Sequence, residues 1–562
     1  MLSRLKNSFR RLKLWMIVLL TGTVFLSFKA VDDNYFEISR NLDIYTTILR
    51  ELSVYYVDPI NTEAMVRESI DDMLESLDPY TTFIPESEAD DYRFMTTGQY
   101  GGIGALIGQR DNDVIITDPY EGFPAQKSGL MAGDVIVSID GKKTKGLRYD
   151  EVSKMLKGSP KTNISIVVAR PTLTGSETIT KTLSREEIQI KNVPYYGVIE
   201  NNVGYIRLSS FTDDAGQEVK DAVKELTEKK KVSGLILDLR GNPGGLLNEA
   251  INIVNVFVDK GQEVVSTRGK VKDWNKIYKT LNNPVDTKTP LVVLVNSGSA
   301  SASEIVSGSL QDFDRAAIVG QRTFGKGLVQ TTRPLAYNAQ LKVTTAKYYI
   351  PSGRCIQALD YTHRNPDGSV GKVPDSLMSE FKTKNGRKVY DGGGINPDYT
   401  TSIVTYSSIA QTLALKYMYF DYATLYRLKN PTIKPAKDFV LTDAEYNDFI
   451  SWLNSKEYDY VTDSERQLDI LKEKAEKENY YASIKDDYEA VKNKLKSDKN
   501  ADLQLHKQEI KWLLENEIVS RYYYQDGRTE NSFLSDPEIK TAVRALKDPA
   551  VYTSIMNRSF KE

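Results

Sequence analysis

Cysteine is almost absent: Cys355 stands alone in 562 residues. No internal disulfide can form, and an Fe–S cluster or a cysteine-based zinc site is excluded within one chain. Histidine is nearly as scarce, with only His363 and His506, so any hydrolytic chemistry must manage without a histidine cluster and points away from histidine as its base. Net charge is close to neutral, −2 at pH 7, which removes the basic surface that a nucleic-acid partner requires. Internal repeats and low-complexity linkers are missing too. What is present is a chain too long for one ordinary domain, with 40% hydrophobic residues, the usual content of globular cores.

The N-terminus is basic and then greasy. Arg4, Lys6, Arg10, Arg11 and Lys13 precede an apolar run from Leu14 to Phe28, the pattern of an export signal. Phe28-Lys29-Ala30 makes a poor cleavage site, because the residue three back from the cut is normally small, and no cysteine follows for lipid attachment. Residues 1–30 are read as a transmembrane signal anchor in preference to a cleaved signal. The positive side stays in the cytoplasm, so the rest of the chain is expected in the periplasm, held at the inner membrane or released if the signal is cut.

Residues 31–95 predict a helical arm. Leu42, Ile44, Tyr45, Ile48, Leu49 and Leu52 recur near a 3.6-residue period, and a second helix over 62–77 ends before Asp78-Pro79. The arm carries no catalytic signature and is read as a packing or dimerisation element. Residues 96–185 change to a glycine-rich, β-rich module, with strands at 114–116, 135–139 and 164–169 and a helix over 149–156. From Val203 to about 404 strands and helices alternate, which implies an α/β layer with a largely parallel sheet. Residues 405–562 are helical and charged, and the polar run 464–499 reads as a solvated helix face.

Three segments of the α/β part could carry chemistry. Asn296-Ser297-Gly298-Ser299-Ala300-Ser301-Ala302-Ser303-Glu304 lies between an apolar strand and a helix. Small residues there let a substrate approach the backbone, and a helix start offers free N–H groups beside a serine. The bland alternative is a serine-rich N-cap. Gly320-Gln321-Arg322-Thr323-Phe324-Gly325-Lys326-Gly327 nearly matches a phosphate-binding loop, but Gly327 stands where a hydroxyl should meet Mg²⁺ and no helix follows. A lysine between glycines remains. A serine needs a base near neutral pH, and burial lowers the amine's affinity for a proton, so a Ser/Lys pair suits a chain poor in histidine. The third segment, Asp238-Leu239-Arg240-Gly241-Asn242-Pro243-Gly244-Gly245, could aim N–H groups at an oxyanion, or be no more than a tight turn.

These segments, together with Leu77-Asp78-Pro79-Tyr80-Thr81, the glycines near 101–108 and Ala132-Gly133-Asp134-Val135-Ile136, occur in one order that resembles the C-terminal processing peptidases, or tail-specific proteases. The resemblance covers about residues 40–360. It implies a multidomain α/β chain: a crotonase-like α/β serine protease core over 186–404, an inserted PDZ-like module over 96–185, the N-terminal helical arm and an α-helical C-terminal domain. It also selects among the serines. The family nucleophile is followed three positions later by an acidic residue and 25 positions later by the lysine, which implies Ser301, Glu304 as support and Lys326. Gln330 corresponds to the residue that orients the amine. Oxyanion donors are implied at the N–H of Ala302 and of Gly244 or Gly245, a choice left open.

In the PDZ-like module the loop Gly102-Ile103-Gly104-Ala105 matches the one that holds a ligand's terminal carboxylate, the tail being added as a strand. Arg170 matches an arginine that can link a ligand-bound PDZ module to the active site. The implied function is a serine endopeptidase of the cell envelope acting on proteins with accessible C-termini; the alternative is an inactive PDZ scaffold. No metal or organic cofactor is implied, and no nucleic acid. Homo-oligomerisation through the 31–95 helices and an adaptor or activator protein are family expectations. The helical tail resembles the longer members from Bacteroidetes-type bacteria, and no activity is assigned to it.

Overall fold

A computed structural model describes residues 35–365, 367–403, 405–495 and 499–557. The signal anchor expected over 1–30 lies outside them; among the described residues no helix is long and apolar enough to cross a membrane. The chain separates into two units, Met1–Phe83 and Ile84–Glu562. In the first, helix α1 spans 35–55 and α2 spans Thr62–Glu75. Asn61 starts α2 by accepting the Ala64 N–H at 3.1 Å, the ordinary N-cap bond. Asp78 then closes a turn, its Oδ1 accepting the N–H groups of Tyr80 and Thr81 at 2.8 and 2.9 Å. Strand β1 (Thr82–Ile84) runs across the boundary.

The second unit opens with α3 (Ala89–Thr97), stopped by Gly98 at φ +69°, a left-handed C-cap. After β2 (Gln99–Gly102) come β3 (Ala105–Arg110), β4 (Asp113–Pro119), the short α4 (Pro124–Lys127), β5 (Val135–Ile139), β6 (Lys142–Lys143), α5 (Tyr149–Leu156), β7 (Asn163–Thr172) and β8 (Gly175–Ser184). The five longer strands form an antiparallel sheet in the order β3-β4-β5-β7-β8. Val114, Ile116, Ile136, Ile164, Ile166 and Val168 fill its core against Val152 and Leu156 of α5. Strand β9 (Glu186–Gln189) pairs with β2, so the chain enters and leaves this module side by side.

The α/β layer follows: β10 (Tyr195–Ile199), β11 (Val203–Arg207), α6 (Ala215–Lys224), β12 (Gly234–Asp238), α7 (Leu247–Phe257), β13 (Glu263–Gly269), β14 (Lys276–Lys279), β15 (Leu291–Val295), α8 (Ala302–Asp312), β16 (Ala317–Gly320), β17 (Leu328–Pro334) and β18 (Gln340–Tyr349). The main sheet runs β10-β11-β12-β15-β16 and ends on the short strand Tyr399–Thr400. All neighbours are parallel except β10 with β11. Its central strands β15 and β16 are apolar throughout and buried, because both faces are covered. Leu235, Leu237, Leu291, Val293 and Ile318 meet α6–α8 on one face. Ile236, Val292, Leu294 and Val319 on the other meet Ile539, Ala542, Val543 and Leu546 near the C-terminus. The strand expected around 341–349 exists, but it is β18 and belongs to a second, antiparallel sheet between β13 and β17.

Helices α9 (Ser408–Leu415), α10 (Met418–Lys429), α11 (Asp443–Leu453), α12 (Asp463–Lys477), α13 (Tyr481–Leu495), α14 (Lys499–Leu505), α15 (Lys507–Ser532), α16 (Pro537–Lys547) and α17 (Pro549–Met556) complete the chain. Four tyrosines of this region belong to its core: Tyr419, Tyr422, Tyr426 and Tyr446 pack with Phe449 against Ile510, Leu514 and Ile518 of α15. The polar run forms α12 and α13, mostly exposed apart from Ala475 and Tyr488. Helices α10 and α15 hold the β-rich module: Arg110 makes a two-pronged bond to Asp421 of α10 at 2.7 and 2.6 Å, and Gln126 donates to the Tyr524 hydroxyl of α15 at 3.2 Å.

Candidate active site

Strands β12, β15 and β16 are parallel, so the loops that leave their C-terminal ends share one edge of the sheet, the usual place for chemistry in an α/β layer. These loops are 239–246, 296–301 and 321–327, the three segments singled out in the sequence. They are stitched together. The carbonyl of Asn242 accepts the Ala300 N–H at 3.0 Å and the Ser303 hydroxyl at 2.9 Å. Phe324 N–H donates to the Ser299 carbonyl at 3.0 Å.

The three serines are in different situations. Ser299 is buried, donates to the Leu239 carbonyl at 2.8 Å and accepts the Asn296 N–H at 3.0 Å. Ser303 is buried and spent on Asn242. Ser301 is half-buried and precedes α8 with φ 54° and ψ −111°. A side chain rarely takes that backbone conformation, and such strain gathers where a nucleophile must be held out from a sharp strand-to-helix turn.

Glu304 is the centre of the site. It is fully buried, and its carboxylate accepts the N–H groups of Ser301 at 2.8 Å and Lys326 at 2.9 Å on Oε2, and the Gly325 N–H at 2.7 Å and the Thr323 hydroxyl at 2.5 Å on Oε1. Burial pushes its pKa up to about 7, while those four bonds pull the other way. Tyr348, on β18, ties the same two residues from the other side: its hydroxyl contacts the carbonyl of Ser301 at 3.1 Å and that of Lys326 at 2.7 Å. Lys326 itself is half-buried. Gln330 sits on β17 at an irregularity in the pairing with β18 and donates to Thr344 Oγ1 at 3.1 Å.

Ala302 is the first residue of α8, whose N–H falls outside the helix ladder. Gly244 lies against it: a Cβ there would stand 2.8 Å from Ala302 N and 2.9 Å from Ser301 Cβ, at φ +97°. Only glycine fits. The Gly244 N–H, however, donates to Asn242 Oδ1 at 2.9 Å, whereas that of Gly245 has no acceptor among the described residues.

In the β-rich module β3 pairs only with β4, so its other edge is open towards α5. A cavity of about 150 Å³ lies there, lined by Tyr100, Gly102, Ile103, Ala105, Leu106 and Tyr149 among others; Gly104 stays outside the lining. Arg170 is committed within the module. Its Nε and Nη2 each bond Asp134 at 2.7 Å, and Nη2 also meets the Gly129 carbonyl at 2.6 Å. Asp134 is buried, so Arg170→Ala is expected to cost about 3 kcal/mol by leaving that carboxylate with only the Met131 N–H, at 2.9 Å, as a donor. Urea unfolding of the variant checks this, and a loss below about 1 kcal/mol would contradict it.

Asn242, Thr323, Tyr348 and Arg240 were not singled out in the sequence. A single polar residue flanked by special ones, as Asn242 is by Gly241 and Pro243, carries a weak signal. Tyr348 carries none, since its neighbours in space are 22 and 47 residues away in the chain.

Three regions of the chain resemble known proteins. Residues 202–367 match peptidase family S41, 115–170 match a PDZ domain, and 409–546 match the region described as "Probable PDZ-protease, C-terminal helical domain". A carboxy-terminal-processing protease of Bartonella bacilliformis is 38% identical over 334 residues, 59% of this chain and 75% of that one. A "Probable CtpA-like serine protease" of Staphylococcus aureus is 34% identical over 366 residues, covering 62% and 72%. Among solved structures, the photosystem II D1 C-terminal processing protease aligns at 31% identity with a TM-score of 0.35, over 63% of this chain and 86% of that one.

Proposed function

The chain belongs to the carboxy-terminal-processing protease family, and from that premise we propose that its serine endopeptidase reaction runs through Ser301 as nucleophile and Lys326 as base, with Gln330 orienting the amine. The observation that carries this is the Glu304 carboxylate, whose one oxygen accepts both the Ser301 and the Lys326 N–H. Two residues 25 apart in sequence are thereby held in one local frame.

Ser301 Oγ attacks the scissile carbonyl carbon as its proton passes to Lys326 Nζ. The oxyanion accepts from the N–H of Ala302 and of a loop glycine; the vacant N–H favours Gly245 over Gly244. Collapse expels the amine, which takes the proton from Lys326, and leaves Ser301 as an ester. Water then attacks the ester carbon as its proton passes to Lys326; collapse breaks the bond from Ser301 Oγ to that carbon, releases the new carboxyl end, and Lys326 returns the proton to Ser301 Oγ.

The PDZ module supports engagement of protein C-termini. A tail laid along the open edge of β3 gains backbone hydrogen bonds, and the Gly102–Ala105 loop is suited to its carboxylate. For Arg170 to act as a link to the protease core it must exchange Asp134 for a new partner. The division at residues 30, 95, 185 and 404, the inner-membrane anchor, an adaptor and self-association through the arm belong to this proposal. The apolar residues exposed on α1, Phe36, Leu42, Ile44 and Ile48, support the last.

The test is cleavage of an unstructured protein with an apolar C-terminus, products read by mass spectrometry, followed by labelling with a serine-reactive probe. The adduct is expected on Ser301; an adduct on Ser299 or Ser303 overturns the assignment. Amidating the substrate's C-terminus is expected to lower kcat/KM about tenfold, the worth of a charge-assisted bond. An unchanged rate would remove the PDZ groove from substrate recognition.

A further inference from the structure

The loop that carries Gly244 and Gly245 is braced from outside the protease core. Asp238, at the end of β12, is fully buried and accepts the Tyr205 hydroxyl at 2.7 Å. Arg240 bonds it through Nε at 2.9 Å and Nη2 at 2.6 Å. That leaves Nη1, which reaches Asp536 at 2.8 Å and Glu538 at 2.6 Å in the first turn of α16. Asp536 is fixed in turn as the N-cap of α16, its Oδ1 accepting the N–H groups of Glu538 and Ile539 at 2.9 and 3.1 Å.

Glu538 has a second oxygen. Its Oε1 accepts from Gln321 Nε2 and, at 2.6 Å, from the Thr401 hydroxyl. Gln321 opens the loop that ends in Lys326, and its own N–H is held by the Val295 carbonyl at 3.0 Å. One carboxylate, its side chain 8% exposed, therefore bonds the anchor of the glycine loop with one oxygen and the anchor of the lysine loop with the other. The packing of α16 on the sheet does not need it, since Ile539, Ala542, Val543 and Leu546 provide the apolar contact.

We infer that Glu538 is a positioning residue of the peptidase site, supplied by the C-terminal helical region. It acts through Arg240 on the oxyanion loop and through Gln321 on the Lys326 loop, so the helical region is part of the catalytic apparatus and not only a cover for the sheet. The inference rests on reading Ser301 and Lys326 as the reacting pair. Transition-state donors tolerate little displacement, whereas groups that bind the substrate tail on the PDZ module are far along the chain from this network. The effect therefore belongs in kcat.

The test uses the full chain with Glu538→Gln and, separately, Arg240→Lys, which keeps one positive charge but cannot span the carboxylates as the guanidinium fork does. For cleavage of an unstructured protein, kcat is expected to fall about tenfold or more with KM within about twofold. Probe labelling of Ser301 should slow by a similar factor, and the thermal unfolding midpoint of Glu538→Gln should stay near wild type. Unchanged kcat in Glu538→Gln overturns the inference. So does a loss that vanishes when rates are divided by the fraction of folded chain, which would make the role purely structural. Ser301→Ala on the same substrate separates the two levels: if it stays active, the Ser301 assignment falls; if it is dead while Glu538→Gln is fully active, only the Glu538 inference falls.

Discussion

Lys326→Ala is expected to lower kcat on the order of 10⁴-fold while the chain stays folded and KM changes little. The chain has two histidines, and neither fits the site: His363 is exposed on a hairpin and bonds Asp360 at 2.7 Å, while His506 faces Glu509 at 3.5 Å. No imidazole is positioned to replace the amine. Ser301→Ala should lose as much, and the double variant no more than either single one, because the two act as a unit. Steady-state cleavage with product mapping checks all three. If the double variant falls a further large factor below the singles, the residues act independently and the pair is the wrong description.

The backbone at Ser301 adds a second readout. At φ 54° and ψ −111° a Cβ is strained whichever side chain follows, so Ser301→Ala keeps the strain and Ser301→Gly releases it. The glycine variant should be about 1 kcal/mol more stable than the alanine variant in denaturant unfolding, with both inactive. The sign matters: equal stability would mean that the turn is unstrained.

How far the sequence carried the structure depended on the range of the interactions involved. Wholly apolar runs such as Leu291–Val295 announced strands covered on both faces, and the glycine, serine and lysine segments announced the loops at their ends. What covers the second face did not follow, because α16 lies more than 200 residues beyond β15 and its apolar stripe resembles that of any surface helix. Arg240 shows the same limit. A charged residue next to a buried Asp238 suggests an ion pair, but nothing local names Asp536 or Glu538 as its further partners. Similarly, the family resemblance pointed to Glu304, and only the fold reveals that it bonds the Lys326 loop as well.

Glu304→Gln is the other variant with a large expected effect. The carboxylate accepts four donors. A glutamine can present its oxygen to two of them, but its NH₂ then faces the other two donors. Two buried donors left without acceptors cost about 1–3 kcal/mol each, and the Ser301 and Lys326 backbones lose their shared anchor. A fall in kcat of about 100-fold is expected.

The same substitution has a signature in pH. The folded pKa of Glu304 is pushed from 4.5 to about 7 by burial. Between those values the folded chain holds a proton that the unfolded chain has released, so stability decreases as pH rises. This group's contribution is fully present below about pH 4.5 and lost once pH passes 7, a swing of about 3 kcal/mol. Activity runs the opposite way, because the ionised carboxylate is the form that accepts all four donors. The wild type should thus trade stability for activity as pH rises from 5 to about 8. In Glu304→Gln the difference in unfolding free energy between pH 5 and about 8 should shrink by about 3 kcal/mol relative to wild type, and the part of the activity rise that follows Glu304 should disappear. Urea unfolding at the two pH values decides it: an identical pH dependence in both chains would mean that Glu304 is ionised throughout, its four hydrogen bonds outweighing its burial.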